Sequence, residues 1–219
     1  MASFTVENYI KTIFQLSQKT EGGVNTNAIS ESLGTKAATV TDMLKKLDIQ
    51  NLIEYKKYQG VTLTKTGRQL AVSIIRKHRM WEVFLVEKLD FKWDEVHDLA
   101  EELEHIDSTE LIDRLEVFLD NPKFDPHGDP IPDKEGHIHR TNQVPLTDLK
   151  VHQTGTVTGV RDSSKEFLQF LDAQEIHLGN EITITGIFDY DKSRTVESNL
   201  KTLSLSQQVC KNLFVKLKS

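Results

Sequence analysis

Residues 25–47 read NTNAISESLGTKAATVTDMLKKL. Asn25 and Thr26 both carry a side-chain oxygen suited to the free N–H groups at a helix start. A short helix then runs through Ile29 and Leu33 and stops at Gly34. After Gly34-Thr35-Lys36, the apolar residues Val40, Met43, Leu44 and Leu47 recur at helical spacing and predict an inward face. Helix, tight glycine-containing turn, helix is the pattern of a helix-turn-helix. The polar side of the second helix carries Lys36, Ala38, Thr39, Thr41, Asp42, Lys45 and Lys46. With Thr26, Asn27 and Thr35 at the preceding helix start and turn, these are the candidate DNA-contacting residues. Small hydroxyls suit base edges or phosphates, and lysines supply phosphate contacts. No arginine on this helix offers a bidentate guanine contact, so shape and apolar contacts carry more of the readout. The plainer reading is a small helical bundle with a solvated basic face.

The flanks favour the first reading. Residues 4–20 place Phe4, Tyr9, Ile10, Ile13, Phe14 and Leu16 at near-helical spacing. Residues 52–63, LIEYKKYQGVTL, alternate and turn near Gly60, which predicts a β-hairpin. A hairpin after a helix-turn-helix is the wing of a winged helix, and Lys56 and Lys57 on it would touch the flanking backbone of the DNA. The chain carries a net charge of −6, yet residues 1–80 hold 12 Lys/Arg against 6 Asp/Glu while residues 81–219 hold 15 against 27. A basic head on an acidic body fits nucleic acid at one end only.

Beyond the hairpin, a long helix is predicted from Lys65 to Leu89, another from about Asp94 to Ile106, and a third from Ser108 to Asn121. Residues 122–146 are rich in Pro, Gly and Asp and read as a connector. From Leu146 onward, short β-like runs at 155–160, 181–187 and 202–205, with one helix at 166–173, predict a small β-barrel. The expected architecture is α+β and multidomain: a winged helix-turn-helix over 1–64, a helical domain over 65–140, and a β-barrel over 146–219. Composition, at 37 % hydrophobic and 27 % charged, is that of a soluble globular protein. No apolar run reaches the roughly 18–20 residues of a membrane span, no secretory signal is evident, and the lone Cys210 fits a reducing cytoplasm.

The most specific chemistry lies in the helical domain. In HDLAEELEH, residues 97–105, His97, Glu101, Glu104 and His105 fall within about one third of a helix circumference. On the preceding helix, His78 and Glu82 stand four apart on one face. A lone His/Glu pair is usually a surface hydrogen bond. Six such groups on neighbouring helices behind a winged helix point to divalent cations. Oxygen and imidazole donors without thiolate favour Mn²⁺ or Fe²⁺ over structural Zn²⁺. His127 reads as a turn or packing residue, His137 and His139 as surface groups or a metal scavenger, and His152 and His177 as surface residues.

At this point the chain resembles the diphtheria toxin repressor family of metalloregulators. The resemblance is carried by Glu7-Asn8-Tyr9-Ile10-Lys11-Thr12-Ile13, Leu63-Thr64-Lys65-Thr66-Gly67, Arg76-Lys77-His78-Arg79-Met80-Trp81-Glu82, His97 with Glu104-His105, and Asn121 to Pro132. It implies a homodimeric, metal-activated repressor that binds double-stranded operator DNA, with an SH3-like C-terminal domain and two metal ions per subunit. It implies neither an enzyme nor a membrane or small-molecule partner. The primary site would use Asn8, Glu101, Glu104 and His105. The ancillary site would use His78, Glu82 and His97, completed by Glu166, or by Asp162 or Ser163. Iron-sensing relatives carry Cys at Glu101 and Met at Asn8. Manganese sensors carry Asp at Asn8, and their two-domain members carry Glu at Lys11, which argues here against a closely spaced ion pair. Trp81, Phe84, Leu85, Leu111, Leu115 and Phe118 are candidates for the dimer surface or for the core. The rival readings are a metal-independent winged-helix regulator that senses a small molecule or partner, and a metal-dependent hydrolase.

Overall fold

The computed structural model describes residues 3–20, 22–56, 59–138 and 141–218. Lys57 and His139, both singled out above, lie outside the described residues. Helices α1 (Phe4–Ser17), α2 (Thr26–Ser32) and α3 (Ala37–Ile49) precede strands β1 (Ile53–Lys56) and β2 (Gly60–Leu63). Of the two capping candidates, Asn25 serves: its side chain accepts the Asn27 N–H. Gly34, at φ +59°, supplies the left-handed turn between α2 and α3. β1 and β2 are antiparallel, with Ile53 opposite Leu63 and Lys56 opposite Gly60. Val24 extends the hairpin by exchanging both backbone hydrogen bonds with Val61, at 2.8 and 2.9 Å. The wing is thereby tied to the segment that starts α2.

Helix α4 (Lys65–Leu89) serves two cores. Its first half gives Ala71, Val72 and Ile75 to the head, where they pack with Ile10, Ile13, Ile29, Val40, Leu44 and Leu47. Its second half gives Met80, Trp81 and Val83 to a second core with Ala100, Ile112 and Leu115. The start of α4 is fixed locally: the Thr64 hydroxyl accepts the Gly67 N–H and donates to the Asn51 carbonyl. Gly67 is required there, since a Cβ would stand 1.9 Å from the Leu52 carbonyl oxygen.

Helices α5 (Val96–Leu103) and α6 (Thr109–Phe118) complete the body. The expected helix to Ile106 is shorter, with Glu104 as its C-cap.

The C-terminal domain holds strands β3 (Val144–Pro145), β4 (Thr154–Val160), β5 (Glu181–Ile187), β6 (Arg194–Ser198), β7 (Lys201–Leu205) and β8 (Leu213–Leu217), with helices α7 (Lys165–Ala173) and α8 (Gln207–Asn212). The strands form one antiparallel sheet ordered β3-β8-β4-β5-β6-β7. Register shifts at Val157/Gly159 and Ile184/Gly186 bend it around a core that includes Leu146, Leu168, Ile182, Val196 and the fully buried Cys210. The β-barrel reading holds, although β3, β6, β8 and α8 lack a clear sequence signal.

This domain docks on the body through the connector. The Val160 N–H on β4 donates to the His127 carbonyl at 2.9 Å. Gly128, at φ +85°, lies so close to β4 that a Cβ would meet the Thr158 oxygen at 2.0 Å. Trp93, from the loop before α5, packs against the barrel core and donates its indole N–H to Asp172 on α7 at 3.0 Å.

Candidate metal centre

One face of α1 presents Glu7, Asn8 and Lys11, residues that span about 100° of the helix. That face meets the turn after α5. The Glu7 carboxylate lies 2.5 Å from His105 Nδ1, and Phe4 stacks on the same imidazole at 4.5 Å between ring centroids. With Nδ1 held, Nε2 is the nitrogen left to serve as a ligand. Asn8 Oδ1 and Glu104 Oε1 are both buried without a hydrogen-bond partner. Unpaired buried oxygens are costly, so each of the two oxygens lacks a partner that a cation could supply.

The Lys11 ammonium enters the same cluster. It donates to Glu101 Oε1 at 2.6 Å and to Glu104 Oε2 at 2.5 Å, and stands 3.2 Å from His78 Nδ1. Glu104 is fully buried. Its second oxygen also meets His78 Nδ1 at 2.7 Å.

A second group of ligand-type side chains lies deeper along α4, around Glu82. His78 Nε2 is 3.1 Å from Glu82 Oε1, His97 Nδ1 is 3.5 Å from the same oxygen, and His127 Nδ1 is 3.6 Å from Glu82 Oε2. Burial alone would raise the Glu82 carboxyl. The hydrogen bonds of His127, His78 and His97 outweigh burial and hold it well below the usual carboxylate range. The ligand atoms of Glu82, Asp125 and His127 lie within 4.8 Å of one another, as do those of His78, His97 and Glu101. Either group has the atoms and spacing to hold an ion.

His127, expected as a turn or packing residue, is buried in a turn, where its backbone N–H meets Asp125 Oδ1 and its ring stacks on Trp93; it also stands among ligand-type side chains. Its Nε2 meets the Trp93 carbonyl at 2.8 Å while Nδ1 faces Glu82. Asp125, which no sequence pattern singles out, is shaped by its own loop: Oδ1 accepts the backbone N–H groups of His127 and Asp129. The Arg79 guanidinium stands 3.4 Å from Asp125 Oδ2 and 2.9 Å from Asp129 Oδ2. Burial first, then the Glu82 and Asp129 charges, push the Asp125 carboxyl up.

Burial pulls the His127 imidazole down, but Glu82 and Asp125 outweigh it and raise it to about 9. The metal-free protein therefore holds this imidazole protonated at neutral pH. The associated stability is complete below the imidazole's ordinary value of 6.5 and is lost as pH rises through about 9. An ion taking His127 as a ligand displaces that proton. Uptake there is expected to weaken about tenfold for each unit the pH falls from 9 to 7, and more steeply below about 7, where the Asp125 carboxyl also takes a proton. Chelator-competition titrations with Mn²⁺ across this range check the slope, and His127→Ala should flatten it.

Glu82, His97 and His127 line a cavity of about 490 Å³ that also touches Lys11, Arg79, Arg161 and Ser163. Of the three candidates for the barrel's contribution, Ser163 lines this cavity and Glu166 does not. Glu166 is exposed in the first turn of α7, and Asp162 accepts the Ser164 N–H.

Most of the candidate DNA-contacting residues among those described are open to solvent. Asn27, Lys36, Ala38, Thr39, Asp42, Lys46 and Lys56 are exposed, and Thr26, Thr35 and Thr41 are half-buried. Asp42 pairs with Lys45 at 3.2 Å, which tempers its charge. Thr41 donates to the Ala37 carbonyl. Of the candidates for a dimer surface, Trp81, Leu85 and Leu115 are buried within the subunit, whereas Leu111 and Phe118 are exposed beside Val117.

Fold and site together define the class: a winged-helix protein with an imidazole–carboxylate cluster where head meets body, and an SH3-like third domain. Residues 1–61 match the N-terminal DNA binding domain of iron dependent repressors, residues 64–133 their metal binding and dimerisation domain, and residues 144–217 the FeoA domain. The diphtheria toxin repressor of Corynebacterium diphtheriae is 31% identical over 213 residues, covering 92% of this chain and 92% of that protein. The chain belongs to the iron-dependent repressor family that includes it. The iron-dependent repressor IdeR of Mycobacterium tuberculosis is 36% identical over 129 residues, 58% of this chain and 55% of IdeR, so this chain aligns with about half of its length. Among solved structures, a manganese-dependent transcriptional repressor in complex with manganese superposes with a TM-score of 0.88 at 30% identity, covering 97% of this chain and all of that one. Among the described residues no helix is long and apolar enough to cross a membrane.

Proposed function

We propose that this chain is a metal-dependent transcriptional repressor of metal homeostasis that binds operator DNA as a homodimer in the cytoplasm. It is neither an enzyme nor a small-molecule receptor. Mn²⁺ is the favoured co-repressor and Fe²⁺ the alternative, with two ions per subunit. Its working divisions are 1–64, 65–140 and 146–219, in keeping with the three matched family segments. The observation that carries this reading is that α1 of the DNA-reading head contributes to the same cluster as the body, through Glu7 on His105 and Lys11 on Glu101 and Glu104.

Asn8, Glu104 and His105, with Glu101 beside them, would hold the ion at the head–body junction. Glu82, Asp125 and His127, with His78 and His97 beside them and Ser163 from the barrel, would hold the other. A bound divalent cation supplies a fixed positive centre that orders its donor atoms. The residues do the rest. Glu7 sets the tautomer and angle of His105, and Arg79 and two backbone N–H groups aim Asp125. Through a bound ion Asn8 would join α1 to the body, so an ion preferring the joined arrangement would shift the head's orientation. In a dimer, that orientation sets whether two α3 helices reach major grooves one DNA turn apart. Exposed Leu111, Val117 and Phe118 are the apolar face we assign to the partner subunit.

The test is anaerobic DNA-binding titration on a fragment selected from random sequence by the Mn²⁺-loaded protein. Affinity should rise with Mn²⁺ or Fe²⁺, by 5- to 150-fold in typical couplings, and fall back on chelation. Binding unaffected by chelator would sink the reading in favour of a metal-independent regulator.

A further inference from the structure

The outward face of α3 carries a charge pair that the metal chemistry does not use. Val40, Leu44 and Leu47 are the residues by which that helix faces the core. Asp42 stands two residues from both Val40 and Leu44, about 160° round the helix from each, so it lies on the side of α3 that a DNA groove would meet. Its Oδ1 accepts from Lys45 Nζ at 3.2 Å, and the two side chains are 73% and 61% exposed. The neighbouring polar groups are engaged elsewhere. The Thr41 hydroxyl donates to the Ala37 carbonyl, and the Asp48 carboxylate accepts the Tyr55 N–H of the wing. A carboxylate facing DNA works against the phosphate attraction that dominates affinity. It is useful there only if it meets a hydrogen-bond donor on a base.

We propose that Asp42 and Lys45 together read one C·G base pair, which makes Asp42 a specificity-determining residue of this chain. The inference rests on the DNA-binding reading above. The pair presents an acceptor and a donor 3.2 Å apart. A C·G pair presents the complement in the major groove: the cytosine N4 amino group beside guanine O6, about 2.9 Å apart as hydrogen-bonded partners. The carboxylate only accepts, and takes the amino proton. The ammonium only donates, and reaches O6 and the adjoining N7. An A·T pair also sets an amino group beside a carbonyl, but its flanks are wrong. Adenine adds the N7 acceptor next to its amino group, which repels a carboxylate. Thymine adds a methyl group next to O4, which gives the ammonium no second acceptor. An exposed ion pair is held weakly in water, so it opens readily onto a matching base pair. Where a base acceptor stands in place of the cytosine amino group, Asp42 is left unpaired beside the phosphates, and that repulsion discriminates between sequences.

The experiment selects binding sites from random duplexes with the full-length, Mn²⁺-loaded wild type, Asp42→Ala, Asp42→Asn and Lys45→Ala. Affinities are then measured on the wild-type site and its single-pair variants. That site should contain a C·G pair whose replacement by T·A weakens wild-type binding about 5- to 150-fold, the discrimination of one good base contact. The loss should vanish in Asp42→Ala, which should bind random duplex at least as tightly as the wild type. Asp42→Asn should move the preference at that position to A·T, with adenine in the place of cytosine, because an amide pairs with adenine N6 and N7. A role confined to folding or to overall charge would move no single position. Lys45→Ala should weaken the preference at the same position, and a loss at a different position overturns the joint reading. If the wild type selects a site and Asp42→Ala keeps every preference in it, the proposal is overturned while the repressor reading stands. If the loaded wild type binds no duplex at all, both fall.

Discussion

Glu104→Ala is expected to abolish metal-dependent DNA binding and to weaken the fold in the same stroke. The two effects have separate causes. The first is loss of the carboxylate whose Oε1 is buried without a partner and which we propose as a ligand. Removing a direct ligand should exceed the 10–100-fold typical of outer-shell losses, so the Mn²⁺ response should disappear over any practical titration range. The second effect is electrostatic. Glu104 is fully buried against Lys11 and His78. Deleting one member of a buried ion pair strands the other, at a typical cost of about 3–5 kcal/mol. At roughly 2–4 °C per kcal/mol for a chain of this size, metal-free melting should drop by about 6–20 °C. A double variant, Lys11→Met with Glu104→Leu, separates the causes. It should recover most of the melting temperature and none of the metal response. If Glu104→Ala melts like the wild type and still responds to Mn²⁺, the assignment of this residue is wrong.

Gly128→Ala should have the second largest effect, although glycine is no ligand. At φ +85° an alanine would be strained by about 1–2 kcal/mol. Its Cβ would also overlap the Thr158 carbonyl oxygen at 2.0 Å and the Gly159 Cα at 2.5 Å. Connector and β4 must then separate, which breaks the hydrogen bond from Val160 N–H to the His127 carbonyl. Freed from that strand, His127 no longer holds its angle toward Glu82. Mn²⁺ affinity at the Glu82–Asp125–His127 group should fall about 10–100-fold, while the separate core of the head stays intact. Calorimetric titration and hydrogen exchange at the Val160 amide read the two halves of this claim. Unchanged affinity with unchanged protection would show that the barrel does not support the site.

The helix-turn-helix, the wing and α4 are legible in the sequence because each rests on short-range rules: caps, a glycine turn, and apolar residues at fixed spacing. The pairing of His78 with Glu82 and of His97 with Glu101 is legible for the same reason, since four residues make about one helical turn. Periodicity puts Glu104 and His105 on the same helix face, but α5 ends at Leu103 and His105 turns toward Glu7 instead. That contact joins residues 98 positions apart, and no periodicity reports it. His127 and Asp125 escape sequence reasoning because an irregular connector has no face. Their placement follows from Gly128, Arg79 and β4, which meet only in three dimensions. Lys11 is recognisable as an unsuitable ligand, yet its position amid the ligands is a matter of packing between α1 and α5. Strand β6 pairs on both edges, but its five residues include Arg194 and Glu197. It therefore lacks the apolar signature of a central strand.

Trp93 offers a practical opening. Its indole lies parallel to the His127 ring, at 6.2 Å between centroids and 19° between planes. It is one of two tryptophans in the chain, and the other, Trp81, is edge-on to Phe84 in the core of the body. The protein thus carries its own optical gauge. A paramagnetic ion arriving at His127 should quench Trp93 emission, and Trp93→Phe leaves Trp81 as the blank. Occupancy of this group and occupancy of the head–body junction can then be followed separately, without labels, as ions are added one equivalent at a time.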